Sequence, residues 1–243
     1  MTASPKASNH FKCIGHRGAR GHAPENTLLS IEKAMRLGVD MIEFDVQSCD
    51  GELILIHDAR LERSTNGSGR VKQARFQYVR GLDAGEGQQV PTLNEVLNLV
   101  QGQVSLNVEI KSADGTGHRV AECLRRAMGE GWRPEQFLVS SFHLPELYEF
   151  KQAAPEIPVA ALVGGVPLDW AACAVELGAC AINLSADFVD ERLIADAHSH
   201  GLEVLVYTVN HPDDMQSLHA LGVDGVFSDY PERVLEFRAA AAN

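Results

Sequence analysis

Four times along the chain an amphipathic stretch ends on a glycine, adds an apolar residue and runs into a β-type segment. The junctions are Leu37–Asp40 (LGVD), Leu177–Cys180 (LGAC), His200–Glu203 (HGLE) and Leu221–Asp224 (LGVD). Gly178, Gly201 and Gly222 are 23 and 21 residues apart, which suits one strand, one helix and two short connections. About eight such units in roughly 250 residues specify a TIM (β/α)8 barrel. A doubly wound open sheet alternates in the same way and is the main rival. Its dinucleotide fingerprint is absent, since Gly15, Gly18 and Gly21 are spaced three and three and lack the tight first pair.

Strands are expected at FKCIG, MIEFDVQ, LILIHD, VSLNVEIK, FLVSSF, VAALVG, CAINLS, EVLVYTV and GVFSD. The first helix, TLLSIEKAMRLG, presents Leu28, Ile31 and Met35 on one face, with Gly38 as its stop. Further helices are expected at TLNEVLNLV and near 118–129, 145–153, 168–177, 188–199 and 212–221, with a last one at ERVLEFRAAA. The polar, glycine-rich stretch of about 58–90 breaks the rhythm and reads as an insertion after the second barrel strand, capping one end. Residues 11–243 then form a single catalytic barrel domain, preceded by a short disordered tail at 1–10.

Lys and Arg number 21 against 33 Asp and Glu, a net charge of −12. That balance argues against a nucleic-acid groove or an anionic membrane surface as partner. No run reaches the ~18 apolar residues of a membrane span, and the first ten residues lack the apolar core of a signal peptide. The five cysteines form no CxxC pair and read as reduced thiols. Together these features point to a cytoplasmic protein.

Residues i and i+2 of a strand share a face. Glu43 and Asp45 in IEFDV therefore lie together, as do Glu109 and Lys111 in VEIK. His16 and Arg17 follow the first apolar run, and His57 ends LILIH. In a barrel such strand-end groups converge on one mouth. Three hard oxygen donors suit Mg²⁺ or Ca²⁺ better than zinc. Arg17 and Lys111 offer a fork and a point charge to an anion, and two histidines can divide acid and base work near neutral pH. One divalent cation, two cationic side chains and an acid–base pair describe phosphoryl transfer. Elsewhere, His198 and His200 close a helix and suit its dipole, and His211 opens one. Phe142 and His143 after VSS either line the mouth or cap the next helix.

At these residues the chain resembles the glycerophosphodiester phosphodiesterase family. GHRG with PENT, EFDV, IHD, STNGSG, PTLNEVL, VEIK, SSF, YTVN and GVFSDYP fall in the family's order and spacing, from about residue 11 onward. The resemblance implies a TIM barrel with an insertion after the second strand. It also implies Mg²⁺- or Ca²⁺-dependent hydrolysis of deacylated phospholipid diesters to sn-glycerol 3-phosphate and an alcohol. Carried over by position, it makes His16 and His57 the acid–base pair, and Glu43, Asp45 and Glu109 the metal ligands. Arg17 and Lys111 become phosphate contacts, and Asn26 either orients the site or caps the first helix. Relatives usually carry Trp at the position of Tyr207, so this aromatic is expected to form an apolar wall that bears on the preferred alcohol. Two other enzyme readings and one binding reading stand beside this one. They are a lyase that releases a cyclic phosphate, a metal-dependent sugar isomerase and a non-catalytic phosphodiester-binding protein.

Overall fold

Thr27 starts the first helix with a reciprocal cap: its hydroxyl accepts from Ser30 N, and Ser30 Oγ accepts from Thr27 N. Gly38 ends it in the left-handed conformation at φ 82°, its amide donating to Met35 O. The same strand–helix unit recurs through the computed structural model, which describes residues 10–241. The expected tail therefore lies, apart from His10, outside the described residues.

In chain order the first half comprises β1 (Lys12–Gly15), α1 (Leu28–Leu37), β2 (Met41–Cys49), β3 (Glu52–Leu55), α2 (Phe76–Arg80), α3 (Leu93–Val100), β4 (Ser105–Ile110) and α4 (Thr116–Gly129). The second half comprises β5 (Phe137–Ser141), α5 (Leu144–Ala153), β6 (Val159–Val163), α6 (Ala172–Glu176), β7 (Ala181–Ser185), α7 (Glu191–Ser199), β8 (Glu203–Tyr207), α8 (Pro212–Ala220), β9 (Gly225–Ser228) and α9 (Pro231–Ala241). Eight strands pair in parallel in the order β1-β9-β8-β7-β6-β5-β4-β2, and a β1–β2 pairing closes the ring. The closed ring is a TIM barrel and removes the open-sheet alternative.

One strand stands outside the barrel. β3 pairs antiparallel with the far end of β2 through a tight turn at Asp50-Gly51. LILIHD is thus shorter than expected: the strand stops at Leu55, and His57 lies two residues beyond it. There the chain leaves the sheet, and Gln47 Nε2 donates to the carbonyls of Ile56, His57 and Asp58 at 3.0, 3.0 and 2.8 Å. The segment that follows has its own apolar cluster, with Cys49, Ile54, Leu61, Val71, Val79 and Val90 buried.

The main core lies between sheet and helices, while Ile14, Leu138, Ala160, Ala181, Leu205 and Phe227 fill the barrel interior. The expected helices are present with adjusted ends, since α6 begins only at Ala172 and α7 at Glu191. No helix among the described residues is long and apolar enough to cross a membrane.

Candidate active site

The turn that carries His16 and Arg17 is built on close backbone approach. A Cβ on Gly15 would meet Gly18 O at 2.6 Å, and one on Gly18 would meet the Ser30 carbonyl carbon at 2.5 Å. Gly18 also sits at φ 81°. Arg17 itself is left-handed at φ 50° and is held there from both sides. Its amide donates to Glu43 Oε2 at 2.8 Å, and the Gly18 amide donates to Glu43 O at 3.0 Å. The open turn thus fastens β1 to β2 and aims two functional groups at the carboxylates.

Glu43 and Asp45 share the inward face of β2, and the parallel register sets Asp45 opposite Glu109 of β4. The three are buried, and one oxygen from each lies within 4.8 Å of the others. Glu43 Oε1 and Asp45 Oδ1 are buried without any hydrogen-bond partner. Burying like charges this closely is unfavourable unless a cation joins them. Burial, and then the charges of Asp45 and Glu109, push the Glu43 carboxyl well above its usual range. Burial and Asp45 push Glu109 up to about 7. Asn26 holds Asp45, donating from Nδ2 to Oδ2 at 2.8 Å and accepting from the Asp45 amide at 3.1 Å. Asn26 therefore orients the site, while Thr27 caps the helix. Three converging hard oxygens with unpaired lone pairs could hold Mg²⁺ or Ca²⁺.

The two cationic residues flank this triad. Lys111 Nζ donates to Glu109 Oε1 at 2.7 Å and lies 3.6 Å from Asp45 Oδ1. Arg17 Nε lies 3.3 Å from Asp45 Oδ2, and its Nη1 donates to Glu25 at 2.8 Å.

Each histidine is held by an aspartate that the sequence reading did not single out. His16 Nδ1 meets Asp229 Oδ1 at 2.7 Å. Asp229 is itself fixed by Asn210, through Nδ2 to its Oδ2 and from its amide to Asn210 Oδ1, both at 2.9 Å. His57 Nδ1 meets Asp58 Oδ1 at 2.6 Å. Arg63 then donates to Asp58 Oδ2 at 2.5 Å and to both oxygens of Glu25 at 2.8 and 2.7 Å. Hydrogen bonds from Arg63 and then from His57 hold the Asp58 carboxyl far below its usual range. Burial opposes the ionised form of Asp229, but the hydrogen bond and charge of His16, with Asn210 and Arg20, together outweigh it and lower its pKa. Ionised carboxylates only accept, so Nδ1 of each ring carries the proton and Nε2 is the basic nitrogen. Burial is the main influence on both rings, and it draws each pKa below 6.5.

His16, Arg17, Glu43, His57, Glu109 and Lys111 open onto one cavity of about 160 Å³ inside the barrel mouth. Phe142, Leu162, Tyr207 and Phe227 form an apolar wall, and Asn107, Ser140 and Asn183 line the same cavity. The structure thus brings His16, Arg17, Glu43, His57, Glu109, Lys111 and Tyr207 to one space, with Asp45 directly beside it. The Tyr207 hydroxyl donates to Val163 O at 3.0 Å, so only its ring faces the cavity, edge-on to Phe142 at 5.8 Å. Phe142 lines the cavity, whereas His143 caps α5 by accepting from Glu146 N at 3.1 Å. His198 pairs with Asp224 at 2.9 Å, outside the cavity. The missed aspartates each follow the end of an apolar run, in IHD and FSDY, which was the available signal.

A family model described as the glycerophosphoryl diester phosphodiesterase family matches residues 16–233. A glycerophosphodiester phosphodiesterase of Caldanaerobacter subterraneus subsp. tengcongensis is 34% identical over 232 residues, covering 91% of this chain and 95% of the relative. One of Bacillus subtilis is 33% identical, covering 90% and 83%. Among solved structures, an Oleispira antarctica phosphodiesterase in complex with the product sn-glycerol-3-phosphate superimposes with a TM-score of 0.85 at 30% identity, covering 92% of this chain and 95% of that one. A glycerophosphodiester phosphodiesterase from Agrobacterium tumefaciens has a TM-score of 0.78 at 28% identity, covering 94% and 99%. The family generally depends on a divalent metal, and an acidic cluster suited to one is present here. With the barrel, the mouth and these matches in agreement, the chain belongs to the glycerophosphoryl diester phosphodiesterase family and is an enzyme of that type.

Proposed function

We propose that the chain hydrolyses glycerophosphodiesters, the deacylated phospholipids, to sn-glycerol 3-phosphate and an alcohol. One divalent cation, Mg²⁺ or Ca²⁺, is held by Glu43, Asp45 and Glu109. The observation that carries this reading is the pairing of two histidines, each with Nδ1 fixed on an ionised aspartate, over one buried triad of carboxylates. The product bound to the Oleispira antarctica relative supports sn-glycerol 3-phosphate as the product here. Bound at the triad, the cation supplies Lewis acidity to a phosphate oxygen.

Arg17 and Lys111 present positive charge to the other phosphate oxygens, where negative charge grows during reaction. One histidine takes a proton through Nε2 from the attacking oxygen. The other delivers a proton from Nε2 to the leaving alcohol oxygen. A P–O bond to the alcohol breaks, a P–O bond to the nucleophile forms, and one water is consumed overall. Asp229 and Asp58 hold the rings in the required tautomer and stabilise whichever is protonated. Phe142 and Tyr207 wall the cavity and limit water around the reacting phosphate. The five free cysteines support a reducing, cytoplasmic setting, in which diesters from lipid turnover are recycled.

The test is release of sn-glycerol 3-phosphate from glycerophosphocholine and glycerophosphoethanolamine, with EDTA and with Mg²⁺ or Ca²⁺ restored. Metal-dependent release is expected. A stable cyclic phosphate in the phosphorus NMR spectrum would make the chain a lyase instead.

A further inference from the structure

β7 places Ala181, Asn183 and Ser185 on its inward face, because Ala181 belongs to the apolar filling of the barrel and side chains alternate along a strand. The ladder sets Asn183 between Leu162 and Leu205. Its side chain is completely buried and lines the cavity, yet neither Nδ2 nor Oδ1 has a hydrogen-bond partner. An amide left unpaired at both ends is unfavourable, and a leucine, larger but branched at the same carbon, would remove that cost. Nearby, Asn107 Nδ2 donates to Ser140 Oγ at 2.9 Å, which leaves Asn107 Oδ1 buried and unpaired as well.

We infer that Asn183 anchors a hydroxyl of the substrate's glycerol half in the cavity. The inference rests on the phosphodiesterase reading above, which puts a phosphate at the mouth. Beside the charged groups the cavity carries Asn107, Ser140 and Asn183, neutral groups that both donate and accept. Such groups match a hydroxyl, not an anion. A cationic head group is disfavoured on the inner wall, because Lys111 Nζ already lies 5.5 Å from the Phe142 ring centre. At about 160 Å³ the space is also small beside the roughly 300–1,000 Å³ of drug-sized sites. It suits a short polyol.

Calorimetric affinities for sn-glycerol 3-phosphate and for n-propyl phosphate isolate the hydroxyl contribution, since the two share the phosphate and the carbon count. The wild-type enzyme with its divalent cation is expected to prefer glycerol 3-phosphate by roughly tenfold or more. Asn183→Leu should abolish most of that preference while its melting temperature holds or rises. Asn183→Ser, which keeps a shorter donor and acceptor, should retain part of it. A wild-type ratio near one overturns the inference, as does an undiminished preference in Asn183→Leu. A fall of several degrees in the melting temperature of Asn183→Leu also overturns it, because the amide would then serve the fold. Wild-type turnover of glycerophosphocholine reports separately on the phosphodiesterase reading. An inactive enzyme that still prefers glycerol 3-phosphate contradicts that reading and leaves the anchor standing.

Discussion

The two histidines of the mouth look equivalent in sequence, but different parts of the molecule hold them. His16 follows β1 and leans on Asp229, which follows β9, so its bond spans the seam where the first and last strands close the barrel. Its side chain is 12% exposed, and its aspartate is locked by Asn210. His57 lies beyond β3, outside the barrel, and is 31% exposed. Its aspartate is held by Arg63 of the inserted segment, which also grips Glu25 behind Arg17. One histidine is therefore part of the frame, and the other is presented by an appended element. Damage at the barrel seam should harm both stability and rate. Damage in the insertion should harm the rate with less effect on the fold.

The largest expected effect is on the rings themselves. His16→Ala and His57→Ala should each lower kcat by a factor on the order of 10² to 10⁴ with glycerophosphocholine. Near-normal kcat in either variant would remove that residue from proton transfer. Next come the supports. Asp229→Asn should cost about 10²-fold in kcat together with a loss of several degrees in Tm, read by steady-state kinetics and calorimetry. Arg63→Ala should cost roughly tenfold in kcat with a much smaller change in Tm. Arg63→Lys should recover little, since an ammonium cannot replace the fork that spans Asp58 and Glu25. Equal Tm losses for Asp229→Asn and Arg63→Ala would erase the distinction between frame and appendage.

The carboxylate triad gives an effect of the opposite sign. Burial and Asp45 raise Glu109 to about 7, so its ionised form weakens the folded state without a cation. Glu109→Gln should therefore raise the Tm of the EDTA-treated protein by a few degrees. It should also abolish the Tm increase that Mg²⁺ or Ca²⁺ gives the wild type. A lower Tm without metal would mean that the Lys111 pair outweighs the crowding of charge.

The smallest effect concerns pH. His16 has its folded pKa drawn below the usual 6.5, mainly by burial. The unfolded chain then binds more protons between those two values, so stability contributed by neutral His16 is full above pH 6.5 and falls as the solution is acidified. Relative to His16→Gln, the wild type should lose up to a few degrees of Tm between pH 7 and 5.5. A constant difference across that range would show that the ring is not held neutral.

Much of this was legible in the chain because it is local or periodic. The glycine-punctuated βα units specify the barrel, and the i, i+2 carboxylates of IEFDV with the Glu109 of VEIK announce the triad. What escaped is long-range. Nothing near His16 reveals Asp229, 213 residues away, although an acidic residue closing GVFSD is a visible sign. β3 reads as a strand from LILI, but alternation does not say which sheet edge it joins, and the hairpin put it outside the ring. Asn107, Ser140 and Asn183 were also visible as polar residues inside apolar strand runs. Only the barrel's closure shows that they face one cavity.

The central claim is that His16 and His57 divide base and acid work on one phosphate. It is tested most directly by comparing leaving groups. Wild type, His16→Ala and His57→Ala would be assayed with glycerophosphocholine and with glycerol 3-phosphate esterified to 4-nitrophenol, whose departure needs no proton. The account predicts that the better leaving group restores one variant by at least tenfold and leaves the other impaired. Equal impairment of both variants on both substrates would contradict the division of labour.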